Sequence, residues 1–258
     1  MPKEVILETK QLGIDFGGLT AVNDFNLTVH AGEIAGLIGP NGAGKTTVFN
    51  LLTSVYAPTR GSVILCGKDT RGLKVNQVNH LGIARTFQNI RLFRDLTVLE
   101  NVTVALHREL NYSLFSTVLR LPKFFKQEKE AKKKALELLS IFHMEDMAND
   151  KAGSLPYGAQ RRLEIVRALA TDPSILLLDE PAAGMNPSET AELMENIRRI
   201  RDTFGIAILL IEHDMKLVMG ICENITVMNF GKVIARGTPD EIRTNPVVIE
   251  AYLGKKGA

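Results

Sequence analysis

The sequence predicts a mixed α/β fold interrupted by a helical insertion, and three observations carry that prediction. Short apolar runs at Glu33–Ile38, Ile175–Leu178 and Ile206–Ile211 have the length and composition of strands buried on both faces. Helix patterns follow these runs, the rhythm of strands and helices sharing one sheet. Between them, residues 98–170 carry a helical pattern without buried strands.

Taken in order, Val5–Thr9 and Phe25–Val29 read as strands around the turn-rich Phe16-Gly17-Gly18. Glu33–Ile38 ends in glycine, and a helix pattern begins near Lys45. Ser62–Cys66 and Gly82–Phe87 are further strands. In the helical stretch, Pro122 marks a break before a basic run, Lys123–Lys134, followed by Leu136, Leu138, Leu139 and Phe142. The basic run is either the solvated face of a helix or a contact for anionic lipid or nucleic acid. After Pro173 the α/β rhythm returns. Pro187–Phe204 reads as a helix capped by Asn186 with Pro187 at its first position. A helix over Asp214–Cys222 follows, then a hairpin of Ile225–Phe230 and Lys232–Ala235 around Gly231, then two short closing helices. The expected organisation is one domain over residues 1–258. Its core spans 1–97 and 171–258, and its helical subdomain spans 98–170.

Composition sets bounds on function. The chain has 258 residues and a formal net charge of +2, so charge makes no general case for nucleic-acid binding. Cys66 and Cys222 lie far apart with no CxxC pairing, which predicts two reduced thiols packed as small hydrophobes. The histidines show no metal-binding spacing. Met1-Pro2-Lys3-Glu4 opens without an apolar signal region, and no apolar run approaches the ~20 residues of a membrane helix.

The chemistry concentrates in one motif. Gly39-Pro40-Asn41-Gly42-Ala43-Gly44-Lys45-Thr46 matches GxxxxGK[ST] at every fixed position, after an apolar strand and before a helix. Glycines let backbone N–H groups curl around phosphate, and the helix start adds unpaired N–H groups and a positive dipole end. Lys45 supplies a charge for the β- and γ-phosphates of ATP, and Thr46 a hydroxyl for Mg²⁺. The strand Ile175–Leu178 runs into Asp179-Glu180. Asp179 is placed to hold Mg²⁺ largely through water, and Glu180 to polarise an attacking water. His213 ends another apolar strand, where it can contact the γ-phosphate or orient water, or be an ordinary surface group. Gln88 follows a strand-like segment and is either a Mg²⁺-ligating amide or a loop glutamine. The GxGxxG dinucleotide fingerprint does not fit, and there is no NKxD base-reading motif of a GTPase.

The order of these motifs resembles that of the ATPase subunits of ABC transporters over essentially the whole chain: Phe16, Gly39–Thr46, Gln88, Leu155–Gln160, Asp179-Glu180, Ala183–Asn186, His213. The resemblance implies a P-loop NTPase core with an antiparallel β subdomain and a helical subdomain. It implies that Phe16 stacks on adenine, with Gly39 to Thr47 and Gln88 completing the nucleotide site. Thr46, Gln88 and Asp179 would then serve Mg²⁺, and Lys45, Glu180 and His213 catalysis. Leu155-Pro156-Tyr157-Gly158-Ala159 stands where the family has LSGGQ, the segment that caps the ATP of a second ATPase subunit. Pro156 replaces the serine, Tyr157 the first glycine, and Asn186 the usual aspartate of the inter-subunit loop.

The segments FGGLTAV (16–22), RTFQNIRLF (85–93), LPYGAQRRLEIVR (155–167), EPAAGMNP (180–187) and IEHDMKLVMG (211–220) are together similar to one ATPase of bacterial branched-chain amino-acid importers. Gly237–Ile242 and Ala251-Tyr252-Leu253-Gly254 fit the same pattern. Such a likeness implies integral membrane permease subunits as partners, a periplasmic or surface amino-acid-binding protein acting indirectly, and no nucleic acid. It also implies a peripheral place on the cytoplasmic face of the membrane, with Gln88–Asp95 either facing the permease or packing the subdomain core. A lipopolysaccharide-export ATPase is a similar alternative whose signature usually keeps the serine, and a soluble ABC ATPase is a second alternative.

Overall fold

A computed structural model describes residues 3–106 and 122–253. Met1 and Pro2, part of the expected helical stretch (107–121), and Gly254 lie outside the described residues. The chain divides into two compact units: Met1–Gln88 with Pro173–Ala258, and Asn89–Asp172. The second unit starts at Asn89 rather than at 98, because the backbone after Gln88 bonds within it. Phe93 N–H donates to Asn101 Oδ1 at 3.0 Å, and Arg91 N–H to Glu164 Oε1 at 3.2 Å.

The first unit holds two sheets. Strands β1 (Val5–Phe16), β2 (Leu19–His30), β4 (Arg60–Leu65) and β5 (Lys68–Asp69) form an antiparallel sheet in the order β2-β1-β4-β5. β1 and β2 run well beyond the expected Val5–Thr9 and Phe25–Val29. Their alternation is broken by register shifts, and Gln11 and Asp24 sit at positive φ. Those irregularities hide a long hairpin from a period-two reading.

The other sheet takes β3 (Ile34–Ile38), β6 (Ile83–Arg85), β7 (Ile175–Asp179), β8 (Ala207–Ile211), β9 (Asn224–Asn229) and β10 (Lys232–Gly237), in the order β10-β9-β3-β8-β7-β6. β3, β7 and β8 are buried at every position, which explains their unbroken apolar composition. Helix α1 (Lys45–Leu52) follows β3 through the glycine-rich loop. The short helix α2 (Val75–His80) was not expected, since Val78 is its one buried residue.

In the second unit, α3 (Val98–Leu106), α4 (Pro122–Ser140) and α5 (Tyr157–Leu169) pack around Val102, Leu106, Ala135, Leu138, Leu139, Phe142, Leu163 and Val166. The described part of α4 begins at Pro122, the expected break before it lies outside the described residues, and Leu136 faces outward at 40% exposure. In the first unit, α6 (Pro187–Phe204) and α7 (Met215–Ile221) flank β8, and α8 (Pro239–Thr244) and α9 (Pro246–Leu253) close the chain. Asn186 caps α6 through Ser188 and Glu189 N–H, and Glu189 returns the bond, while Gly205 at φ 64° stops the helix. No helix among the described residues is long and apolar enough to cross a membrane.

Candidate functional site

The loop between β3 and α1 is shaped by its glycines. Gly39 has φ 153°, and a Cβ there would stand 2.2 Å from the Met228 carbonyl oxygen. Gly44, the residue before α1, has φ 102°, and its Cβ would stand 2.9 Å from the Ala21 carbonyl. The chain can make this turn only by passing close to β2 and β9 without side chains. Lys45 opens α1 with its stem buried, and its ammonium donates to the carbonyls of Gly39 at 2.6 Å and Pro40 at 3.0 Å. Burial depresses the Lys45 pKa, and the carboxylates of Glu180 and Asp179 oppose that shift.

A cleft of about 570 Å³ opens over this loop, lined by Asn41 to Thr47, Gln88 and Glu180. Its far wall is Leu19, Thr20 and Ala21 from β2, with Phe230 and Gly231 from the β9–β10 turn. None of those five is among the site residues expected from the sequence, which places Phe230 and Gly231 in a hairpin and Leu19 to Ala21 only in a segment of family likeness. They arrive through long-range backbone pairing, Asn23 N–H to Gly231 carbonyl at 2.8 Å and Gly231 N–H to Ala43 carbonyl at 3.0 Å. The only local signal was the glycine after Phe230, a residue that is 86% exposed. Phe16 does not line the cleft. It ends β1 half-exposed, edge-on to Tyr56 at 5.3 Å between ring centroids.

Two expected catalytic groups, Glu180 and His213, meet the expected nucleotide-site residue Gln88 at one end of the sheet that holds β3, β7 and β8. Gln88 Nε2 donates to Glu180 Oε2 at 3.0 Å, and His213 Nδ1 lies 4.0 Å from the same oxygen. Glu180 itself sits at φ +49°, a left-handed conformation that costs a non-glycine residue about 1–3 kcal/mol. Its N–H donates to the Ile211 carbonyl at 2.9 Å. Asp179 lies one residue back and inward, 3% exposed, with Oδ2 accepting from the Arg85 guanidinium at 2.7 Å. Arg85 also donates to Asn50 of α1 at 2.7 Å, so one cation ties the loop's helix to the carboxylate strand. The sequence places Arg85 only in a strand-like segment, because its partners Asn50 and Asp179 lie far away in the chain.

Among the described residues, no group of three His, Cys, Asp or Glu side chains could hold a metal ion by itself. The available donors are the Thr46 hydroxyl, the Gln88 amide and the Asp179 carboxylate. Hard oxygens in small number, completed by phosphate and water, suit Mg²⁺.

The signature-like segment lies in the second unit. Leu155 is buried, and Pro156 occupies the cap position of α5 at φ −55°, ψ 152°, with no side-chain cap bond. Tyr157 is 46% exposed, while Gly158 and Ala159 are buried in the first turn of α5. Gln160 Nε2 donates to the Leu155 carbonyl at 2.8 Å and fixes the approach to the helix.

The chain that carries these features is similar to known proteins. The ABC transporter family model matches residues 22–183, and the model described as branched-chain amino acid ATP-binding cassette transporter matches residues 232–258. The chain is 52% identical, over 97% of its length and 98% of the relative's, to the high-affinity branched-chain amino acid transport ATP-binding protein LivG of Escherichia coli. It is 50% identical, over the same shares of both chains, to the corresponding protein BraF of Pseudomonas aeruginosa. The crystal structure of the ADP conformation of MJ1267, an ATP-binding cassette of an ABC transporter, matches with a TM-score of 0.84 and 30% identity, covering 97% of this chain and 99% of that one. The chain belongs to the ABC transporter family of ATP-binding cassettes.

Proposed function

We propose that this chain is the ATP-hydrolysing subunit that powers uptake of branched-chain amino acids through membrane-embedded permease subunits. One observation carries the substrate assignment: the likeness to LivG and BraF covers 97% of this chain and 98% of each relative, and the C-terminal segment 232–258 matches the model described as branched-chain amino acid ATP-binding cassette transporter. The cleft carries the chemistry, because it brings Lys45, Thr46, Gln88 and Glu180 to one surface.

In this reading the loop amides and Lys45 hold the phosphates, and Lys45 exchanges its carbonyl partners for phosphate oxygens. Thr46, Gln88 and Asp179 would hold Mg²⁺, which supplies neutralisation of the charge that develops on the transferred phosphoryl group. Glu180 positions or deprotonates the attacking water, and His213 lies beside it to contact the γ-phosphate or orient that water. Leu19, Thr20 and Phe230 offer exposed surface for the base and ribose, beside the expected stacking residue Phe16. A second ATPase subunit, identical or related, contributes its own signature segment to complete the site. Closure of the pair on ATP and reopening after hydrolysis drive the permease, which meets the segment Gln88–Asp95. The chain then works peripherally on the cytoplasmic face, and the external binding protein acts on it indirectly.

The test is Glu180→Gln in the chain assembled with its permease. ATP binding is expected within about threefold of wild type, with turnover and leucine uptake reduced at least about 100-fold. Retained hydrolysis rejects the assignment of Glu180. Hydrolysis stimulated by a substrate other than a branched-chain amino acid rejects the substrate.

A further inference from the structure

Glu212 is read from the sequence only as the residue before His213, yet it is among the most buried charged groups of the first unit, at 1% exposure. Its carboxylate accepts three backbone N–H groups. Oε1 takes Ala182 N–H at 2.8 Å, and Oε2 takes His213 N–H at 3.0 Å and Asp214 N–H at 3.3 Å. Oε2 also lies 3.8 Å from the His213 ring nitrogen Nδ1. One side chain thus joins the loop after Glu180 to the turn that carries His213.

The position of this clamp matters because of the backbone at Glu180. That residue stands in the left-handed region, and two cross-connections straddle it. One is Glu180 N–H to the Ile211 carbonyl at 2.9 Å, and the other is Ala182 N–H to Glu212. The loop then closes on itself through Ala183 N–H to the Glu180 carbonyl at 3.1 Å. A strained residue persists only where its surroundings over-determine it. A carboxylate is well suited to this task, since it accepts from several amides at once and is stronger than a neutral acceptor.

Resting on the reading of Glu180 as the hydrolytic carboxylate, we propose that Glu212 is a positioning residue that holds Glu180 and His213 in one arrangement for the water-activation step. It contributes little to nucleotide binding, because the loop amides and Lys45 belong to a different segment. Burial raises the Glu212 pKa, and the three N–H donors pull it back toward the charged form that can accept all of them.

The experiment compares wild type, Glu180→Gln, Glu212→Ala and Glu212→Gln in the assembled transporter, measuring kcat, KM and the Kd of ATP. Active wild type with inactive Glu180→Gln shows that the underlying reading holds, so the Glu212 variants are judged separately from it. Glu212→Ala is expected to lower kcat about 100-fold, the scale of an ångström-sized misplacement, with Kd unchanged. Glu212→Gln keeps an oxygen for Ala182 N–H and turns an amide toward the other two donors, so its kcat should fall between the two. Should Glu212→Ala fail to fold, Glu212→Gln decides by the same split. Wild-type kcat in either folded variant overturns the proposal, as does a loss of kcat matched by an equal loss of ATP affinity.

Discussion

Replacing Gly39 by alanine separates close backbone approach from simple flexibility in the phosphate loop. The new Cβ would lie 2.2 Å from the Met228 carbonyl oxygen and 3.1 Å from Ala43 Cβ, so something must move by about 1 Å to reach ordinary contact. β9 is not free to give, because it is paired with β3 up to Ile38–Val227 and with β10 beyond. The loop therefore yields. Alanine at φ 153° adds backbone strain of about 1–3 kcal/mol, and forced repacking adds another ~1–3 kcal/mol, together about 2–6 kcal/mol. Phosphate contacts tolerate little of a 1 Å shift, and losing one charge-assisted bond costs about 1.5–3 kcal/mol, roughly a 10- to 150-fold rise in the Kd of ATP. Gly42→Ala is the internal control. Gly42 has φ 79°, but its Cβ would meet nothing within 4 Å, so only the left-handed penalty of about 1–2 kcal/mol applies. Fluorescent-nucleotide titration and urea unfolding of the three proteins read out both effects. Equal ATP affinity and equal unfolding midpoints for Gly39→Ala and Gly42→Ala would refute the close-approach reasoning.

Two further outcomes follow from the first unit. Burial pushes the Cys222 thiol up to about 12, so it stays protonated well above neutral pH, while Cys66 is partly exposed. A thiol reagent at pH 8 should label Cys66 alone in the native chain and both cysteines in denaturant, as mass spectrometry of the labelled peptides will show. Asn186→Ala should cost about 1 kcal/mol in urea unfolding through loss of the α6 cap, whereas Asn186→Asp, which keeps the acceptor, should cost little.

How far the chain could be read without coordinates depended on how local the signals were. The helix Pro187–Phe204 was legible to the residue because its start and stop are written within a few positions: Asn186, Pro187 and Glu189 at one end, Gly205 at the other. The loop Gly39–Thr46 was legible because its glycines answer to backbone geometry and the spacing from Gly39 to Lys45 is fixed within one short turn. Two things stayed hidden. Strand β5 is two residues long and exists through pairing with Ile64 and Leu65. The cleft wall of Leu19–Ala21 and Phe230-Gly231 depends on bonds between segments roughly two hundred residues apart, for which no local pattern exists. Glu212 belongs to the same class, since its key partner, Ala182, is reached only when β7 and β8 lie side by side.

The signature segment shows how a departure from a family motif can be weighed against its surroundings. Proline in place of serine removes a hydroxyl, so no side chain at 156 can donate to a phosphate. It does not remove an amide from the helix. Pro156 is the cap residue, and the first intrahelical bond runs from Gln160 N–H to the Pro156 carbonyl at 3.0 Å. The N–H groups of Tyr157, Gly158 and Ala159 precede the first N–H with an intrahelical acceptor, and the positive end of the helix dipole lies there, with Tyr157 exposed and Gly158 and Ala159 buried. A γ-phosphate presented by a second subunit would meet backbone donors at the place where serine would add one more. Proline also fixes φ near the value found here, which lowers the entropy lost in holding those donors in place. The segment thus lacks the hydroxyl and keeps a helix start with its φ pre-set by proline, so the departure from the motif changes one side chain and leaves the helix start in place.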